Sequence, residues 1–211
     1  IDVSAHQGTI DWDAVRADGV RFAIVKATQE LFADSKFGRN QDGARRTMDR
    51  VGYYHFFKVG PDPEKQAEHF VRTVGPLRAG EFLVFDGEQR DLDPAVYRAR
   101  MRVFLREVEG LTGRVPWIYS SPSFAREYDL GRHFARHPLW VAHWGVPAPK
   151  VPSGWGSWGL WQVSDKGRVG GIKGPVDINL AGPFFVGFGI WGWAIVGAGA
   201  WWLARKGRRG R

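Results

Sequence analysis

An α/β fold is predicted by two features of this sequence. Up to about Pro138, short apolar runs rich in β-branched and aromatic residues alternate with segments of helical periodicity, the pattern of parallel strands joined by crossover helices. Beyond Pro138 the helical segments vanish, and glycine-rich turns join the strand-like runs, so the later strands are expected to lack full helices. On spacing alone an α/β barrel and an open sheet both fit.

The elements follow in order. IDVS is a strand, and IDWDAVRADG reads as a short helix stopped by Gly19. RFAIVKAT is a second strand, apolar enough to be buried on both faces. NQDGARRTMDR is polar and helical, and VGYYHFFKV is the third strand. DPEKQAEHFVRTVG is a helix opened by Asp62 and Pro63 and stopped by Gly75. EFLVFDGE is the fourth strand, followed by a helix in DPAVYRARMRVFLREVEGLTG that Gly110 is expected to close. VPWIYSS and PLWVAHW are the fifth and sixth strands, and WGSWGLWQVSDKGRVGGIKGPVDIN reads as short strands and turns.

Composition narrows the function classes. The chain has 211 residues, enough for one domain with an appendage. Without cysteine, disulfides, thiol catalysis and Cys-based metal sites are excluded. The net charge of +8 does not point to nucleic acid, because five of the 30 basic residues stand in the last seven positions and the other 25 nearly balance 22 acidic ones. The chain opens directly on a strand at Ile1, with no initiator Met and no signal-peptide pattern, so upstream residues are expected to have been removed or trimmed.

Residues 181–204 carry no charge and are followed by RKGRRGR. That length fits a bilayer crossing, for which about 20 apolar residues suffice, and Trp201 and Trp202 beside a basic tail fit an interfacial belt and cytoplasmic charge. The sequence therefore predicts a barrel over residues 1–180, a C-terminal apolar helix spanning the membrane over 181–204, and a cytoplasmic tail over 205–211. The competing reading is a terminal helix docked on the domain.

Asp86 and Glu88 end an apolar run in LVFDGEQR. Side chains at i and i+2 of a strand share a face, with Cα atoms about 6.5–7 Å apart. Two acids so placed raise one another's pKa and supply a proton donor beside an anion. Asp2 in the first strand and Asp177 in the last, GPVDINL, would join them if the sheet closes, since first and last strands then become neighbours. Most D-x-E pairs are simply solvated, so the spacing by itself carries little.

The ordered blocks carry more. DVSAHQGTIDWDAVRADGVRFAIVKAT, GYYHFF, QAEHFV, LVFDGE, WIYSS, LWVAHW and LWQVS with GRVGGIKGPVDIN resemble glycoside hydrolase family 25 muramidases, the Chalaropsis-type lysozymes of bacterial and phage origin, over about residues 1–180. The resemblance implies an irregular TIM-like (β/α) barrel, needing no cofactor or metal, that cleaves the β-1,4 bond between N-acetylmuramic acid and N-acetylglucosamine in peptidoglycan. It assigns Glu88 as proton donor and Asp86 as the group that orients the substrate's N-acetyl or stabilises an oxocarbenium charge. Asp2 and Asp177 are supporting carboxylates, and retention of configuration with substrate assistance is implied. Two departures stand out: Gly87 replaces the usual aliphatic or aromatic residue between the acids, and Gln29 in KATQE stands where an acid is common.

Tyr53, Tyr54, Tyr119, Trp140 and Trp161 fall near strand ends, where rings stack on sugars. The resemblance selects Tyr54, Tyr119, Trp140 and Gln162 as groove residues contacting the glycan strands, in a monomeric catalytic domain. His55 reads either as a neighbour of the acids or as a satisfied core histidine. His133 and His137 read as a solvated helix face, since no acid completes a metal set. The membrane segment would tether the barrel toward the cell wall, or the protein acts released at the host envelope. The alternatives are a catalytically inactive peptidoglycan-binding module and a holin-like pore-forming tail.

Overall fold

The computed structural model describes residues 1–90, 92–182 and 185. Eight strands close into a barrel. β1 (Asp2–Val3), β2 (Phe22–Gln29), β4 (Arg50–Phe56), β5 (Phe82–Asp86), β6 (Trp117–Ser120), β7 (Leu139–Ala142) and β8 (Leu160–Gly167) run parallel in that order. β9 (Val176–Ala181) returns antiparallel between β8 and β1, and β1 also pairs with β2 to complete the ring. β3 (Phe32–Ala33) lies outside the ring as an antiparallel partner of β2.

Helices α1 (Trp12–Ala17), α2 (Phe37–Thr47), α3 (Pro63–Val74) and α4 (Pro94–Thr112) follow the early strands as the periodicity predicts. Asp11, Asp62 and Asp93 cap α1, α3 and α4 through their carboxylates, satisfying amides that the first helical turn leaves unpaired. α5 (Pro122–Glu127) and α6 (Leu130–Phe134) are too short for a periodic pattern to declare them. No helix separates β7 from β8 or β8 from β9. Gly110 does not end α4. It lies inside the helix with open space around it, and the stop is Gly113, in the left-handed conformation with φ +65°.

Alternation along the strands divides the apolar residues into two cores. Ala23, Val25, Leu83, Phe85, Ile118, Leu139 and Val141 face the helices, whereas Ile24, Phe82, Val84, Tyr119, Trp140 and Leu160 fill the barrel. The barrel floor is closed by Phe185, whose ring meets Phe22 at 5.0 Å, Phe82 at 5.6 Å and Trp117 at 5.8 Å. The Arg50 guanidinium lies 4.7 Å over that ring. Of the apolar stretch predicted over 181–204, Ala181, Gly182 and Phe185 therefore belong to the barrel, and the remainder lies outside the described residues. Among the described residues no helix is long and apolar enough to cross a membrane.

Of the histidine readings, the structure decides one and corrects another: His55 is the satisfied core histidine. His55 points into the helix-facing core, fully buried, and stacks on Phe104 at 4.9 Å. Gln66 spends its amide N–H groups on Lys58 and Pro61 carbonyls, so its Oε1 accepts from His55 Nε2, 3.1 Å away, and His55 Nδ1 accepts from Thr28 Oγ1 at 2.7 Å. Burial lowers the imidazole pKa to about 3. His137 is not on a solvated helix face: α6 ends at Phe134, and His137 is buried with Nδ1 2.9 Å from the Pro116 carbonyl.

Candidate active site

The same alternation that fills the barrel aims polar groups at its mouth. On β5, Phe82, Val84 and Asp86 share the inner face, so the strand passes from apolar floor to a carboxyl as it surfaces. Tyr119 on β6 is in register with Asp86, Tyr54 on β4 with Val84 one inward position below, and Gln162 on β8 is reached by the Tyr119 hydroxyl. β9 runs the other way, so its beginning lies at the mouth, and Asp177 pairs directly with Asp2 of β1. The two terminal strands thus bring their acids together only because the sheet closes.

Asp2 anchors a polar network. Its Oδ2 accepts from Gln162 Nε2 at 3.0 Å and from Asn179 Nδ2 at 2.7 Å. Gln162 Oε1 in turn accepts from Tyr119 Oη at 2.9 Å and from Trp144 Nε1 at 2.9 Å, and Asn179 Oδ1 accepts from Trp140 Nε1 at 2.8 Å. Asn179 and Trp144 were not singled out by the sequence reading. Asn179 shares the face of Asp177 by the period of two in DIN, a signal that was available. Trp144 gave none beyond its place in AHW. Trp140 is almost fully buried against Tyr119, with ring centroids 4.6 Å apart, and so supports the floor. Tyr53 and Trp161 belong to the helix-facing core, with Tyr53 Oη on Glu81 at 2.7 Å.

The acids raise one another. Burial first, then Glu88 and Asp2, hold Asp86 well above the usual carboxylate range, against the pull of Lys26 and Lys58. Lys26 Nζ donates to Gln29 Oε1 at 2.9 Å. A neutral Gln29 leaves that ammonium charge uncompensated from its own strand and available to Asp86. Glu88 lies just past the end of β5, open to solvent on one side. Burial on the other side, then Asp2, push its carboxyl up, opposed by Arg90 and Lys58. Tyr119 also lies in hydrogen-bond reach of Glu88, and that contact favours the charged carboxylate, adding to the pull of Arg90 and Lys58. Asp177 is pushed up to about 8 by burial and by Asp2, with which it shares a hydrogen bond. Low solvent access and clustered like charge are the two ordinary means of keeping a carboxylic acid protonated near neutrality.

A cavity of about 410 Å³ opens beside Glu88, lined by Tyr119, Ser121, Arg126, Trp144 and Lys150. Trp144 is 49% exposed, and its indole N–H is fixed to Gln162, so it offers a held ring face to the cavity. The arrangement places a carboxyl with a raised pKa at an open cavity, a buried carboxyl two residues earlier in the chain, and a carboxylate network behind both.

Comparison with known proteins places these features in a lineage. A family model described as glycosyl hydrolases family 25 matches residues 1–172. The chain is 39% identical over 188 residues to the uncharacterized protein YegX of Escherichia coli K12, covering 85% of this chain and 68% of that protein. It is 35% identical over 193 residues to lysozyme M1 of Streptomyces globisporus, covering 85% of this chain and 66% of that protein. The crystal structure of a bacterial lysozyme from Streptomyces coelicolor superposes with a TM-score of 0.80 at 34% identity, covering 86% of this chain and 90% of that one.

Proposed function

Because the chain belongs to glycosyl hydrolases family 25, we propose that it hydrolyses the β-1,4 bond between N-acetylmuramic acid and N-acetylglucosamine in peptidoglycan, with Glu88 as general acid and Asp86 assisting. One observation supports the assignment of roles: Asp2, the Asp86–Glu88 pair and Asp177 come from three separate stretches of sequence to one barrel mouth, where Asp2 raises the other three, beside an open cavity.

Glu88, kept protonated, gives its proton to the glycosidic oxygen as the C1–O bond breaks, and the N-acetylglucosamine hydroxyl leaves. Asp86 orients the acetamido group of the muramic acid, whose carbonyl oxygen closes on C1 and shares the positive charge. Water then opens that ring at C1, losing its proton to the Glu88 carboxylate, and the configuration is retained. Asp2 acts from behind, supplying negative potential that raises Glu88, and Asp177, itself raised to about 8, shares a hydrogen bond with Asp2. Digestion of purified wall should release fragments with new reducing-end N-acetylmuramic acid, seen by mass analysis after borohydride reduction. Fragments ending in reducing N-acetylglucosamine would assign the opposite bond and end this reading, and an inverted first-formed anomer by NMR would remove the acetamido role.

The membrane reading is proposed in narrower form. The charge-free run continues beyond Phe185 to Ala204 and is followed by Arg205, Lys206, Arg208, Arg209 and Arg211, which supports a tether with the basic tail on the cytoplasmic side and the barrel toward the wall. The full chain should stay with membranes through an alkaline wash, and a chain ending at Phe185 should not. Equal partitioning of the two would refute the tether.

A further inference from the structure

Tyr97 on α4 is fully buried, with its ring against Phe57, Phe124 and Tyr128 at 6.4, 5.4 and 4.7 Å between centroids. Those contacts need only a phenyl group. Its hydroxyl is nevertheless retained, buried and without a hydrogen-bond partner among the described residues, and Asp86 Oδ1 is in the same condition. Leaving such an atom unpaired is costly. The Tyr97 oxygen lies against the open side of Gly87, the residue next to Asp86 in the chain, and Tyr97 feels the Asp86 charge. A Cβ on Gly87 would lie 2.2 Å from the Tyr97 oxygen and 2.7 Å from Phe85 Cε1, so the phenol occupies the space that any other residue at position 87 would fill.

We propose that Tyr97 is a positioning residue for the acid pair: its hydroxyl, admitted by the missing side chain of Gly87, supports the buried side of Asp86 through one bridging water to Oδ1, and packs the Asp86–Glu88 turn into its working path. Gly87 and Tyr97 act as one device, and neither is interchangeable without the other. This rests on the reading of Asp86 and Glu88 as the working acids. A hydrogen bond donated to a carboxylate, here by the bridging water, favours its charged form, which opposes the push that Asp86 receives from burial, Glu88 and Asp2 and adds to the pull of Lys26 and Lys58. Tyr54 from β4 and Tyr119 from β6 also feel Asp86. Removing one hydroxyl from Tyr97 leaves all these groups in place.

The test is a double-mutant cycle in the full chain, with Gly87→Ala, Tyr97→Phe and the pair, read by turnover on purified wall across pH and by ¹³C titration of the Asp86 carboxyl. Tyr97→Phe should lower kcat roughly 10-fold with KM little changed, and the Asp86 titration should move upward. Gly87→Ala should lose roughly 100-fold, because the new methyl meets the phenol oxygen. The double variant should recover part of the Gly87→Ala loss, since the phenol oxygen is gone and only the Phe85 ring edge still meets the methyl. Wild-type kinetics and titration in Tyr97→Phe would overturn the proposal, and so would losses in the double variant that simply multiply. Tyr97→Phe fills the same ring site and keeps the test alive if Gly87→Ala does not fold. A wild type with no activity on wall would instead count against the hydrolase reading, while the Asp86 titration would still decide the role of Tyr97.

Discussion

Glu88→Gln should abolish hydrolysis while leaving the fold intact, with kcat falling roughly 10²- to 10⁴-fold, the range that one positioned general acid contributes. The fold is insulated because Glu88 stands past the end of β5 and is exposed, whereas the hydrogen bonds that order the mouth run among Asp2, Gln162, Asn179, Tyr119 and Trp144. Gln presents the same shape to Tyr119 and the cavity, so glycan binding should survive and the loss should fall on kcat. In the wild type, activity should fall as pH rises through the elevated Glu88 pKa, because the donor is then ionised. That limb should vanish from the residual activity of Glu88→Gln. Retained turnover in the variant would remove Glu88 from the mechanism. Loss of glycan binding together with turnover would make it a binding group only.

The outline of the barrel was legible because period two and period 3.6 alternate cleanly as far as α4, and Asp62–Pro63 and Gly75 punctuate α3 where it begins and ends. What was missed has local causes. Gly110 sits in the middle of a helical turn at modest cost, and only the backbone sign at Gly113 distinguishes a stop from a tolerated glycine. β3 is two residues held by pairing to Thr28 and Gln29, which no periodicity encodes. The period of two separates Tyr53 from Tyr54 and Gln162 from Trp161, so naming the groove side was possible once the strands were known. The meeting of Asp2 with Asp177 depends on closure across 175 residues of chain, and the ordered family blocks, not spacing, pointed there. The pairing of Gly87 with Tyr97 was invisible in sequence. Gly87 read only as a departure from the family pattern, and the structure shows its open side filled by Tyr97 and Phe85.

Asp2→Asn is the sharper probe of the network, because it removes charge with little change of shape. Both Gln162 and Asn179 donate to the same carboxylate oxygen, so the amide oxygen of Asn can accept both, leaving its NH₂ to donate toward Asp177. Asp177 then loses the neighbour that helps push it up to about 8, and Glu88 loses the largest charge contribution to its elevation. Two consequences follow. At neutral pH a smaller fraction of Glu88 is protonated, so kcat/KM should fall roughly 10- to 100-fold and recover in part as pH is lowered. Stability should also change its pH dependence. In the wild type the unfolded chain has already released the Asp177 proton above its ordinary pKa near 4, while the folded state holds it to about 8. The folded state thus binds more protons, and this part of the stability, complete at low pH, is lost as pH rises toward 8. The buried His55, whose pKa is lowered to about 3, has the opposite sign but acts below about pH 6.5. Between pH 6.5 and 8 the Ile1 amino group, lowered to about 6 by burial, works against the acids in both proteins, so urea unfolding is read as a difference: wild-type stability should decline more steeply across that interval than that of Asp2→Asn. Parallel curves would mean that Asp2 does not set the protonation of Asp177, and the two closing strands would then contribute architecture to the site without contributing charge.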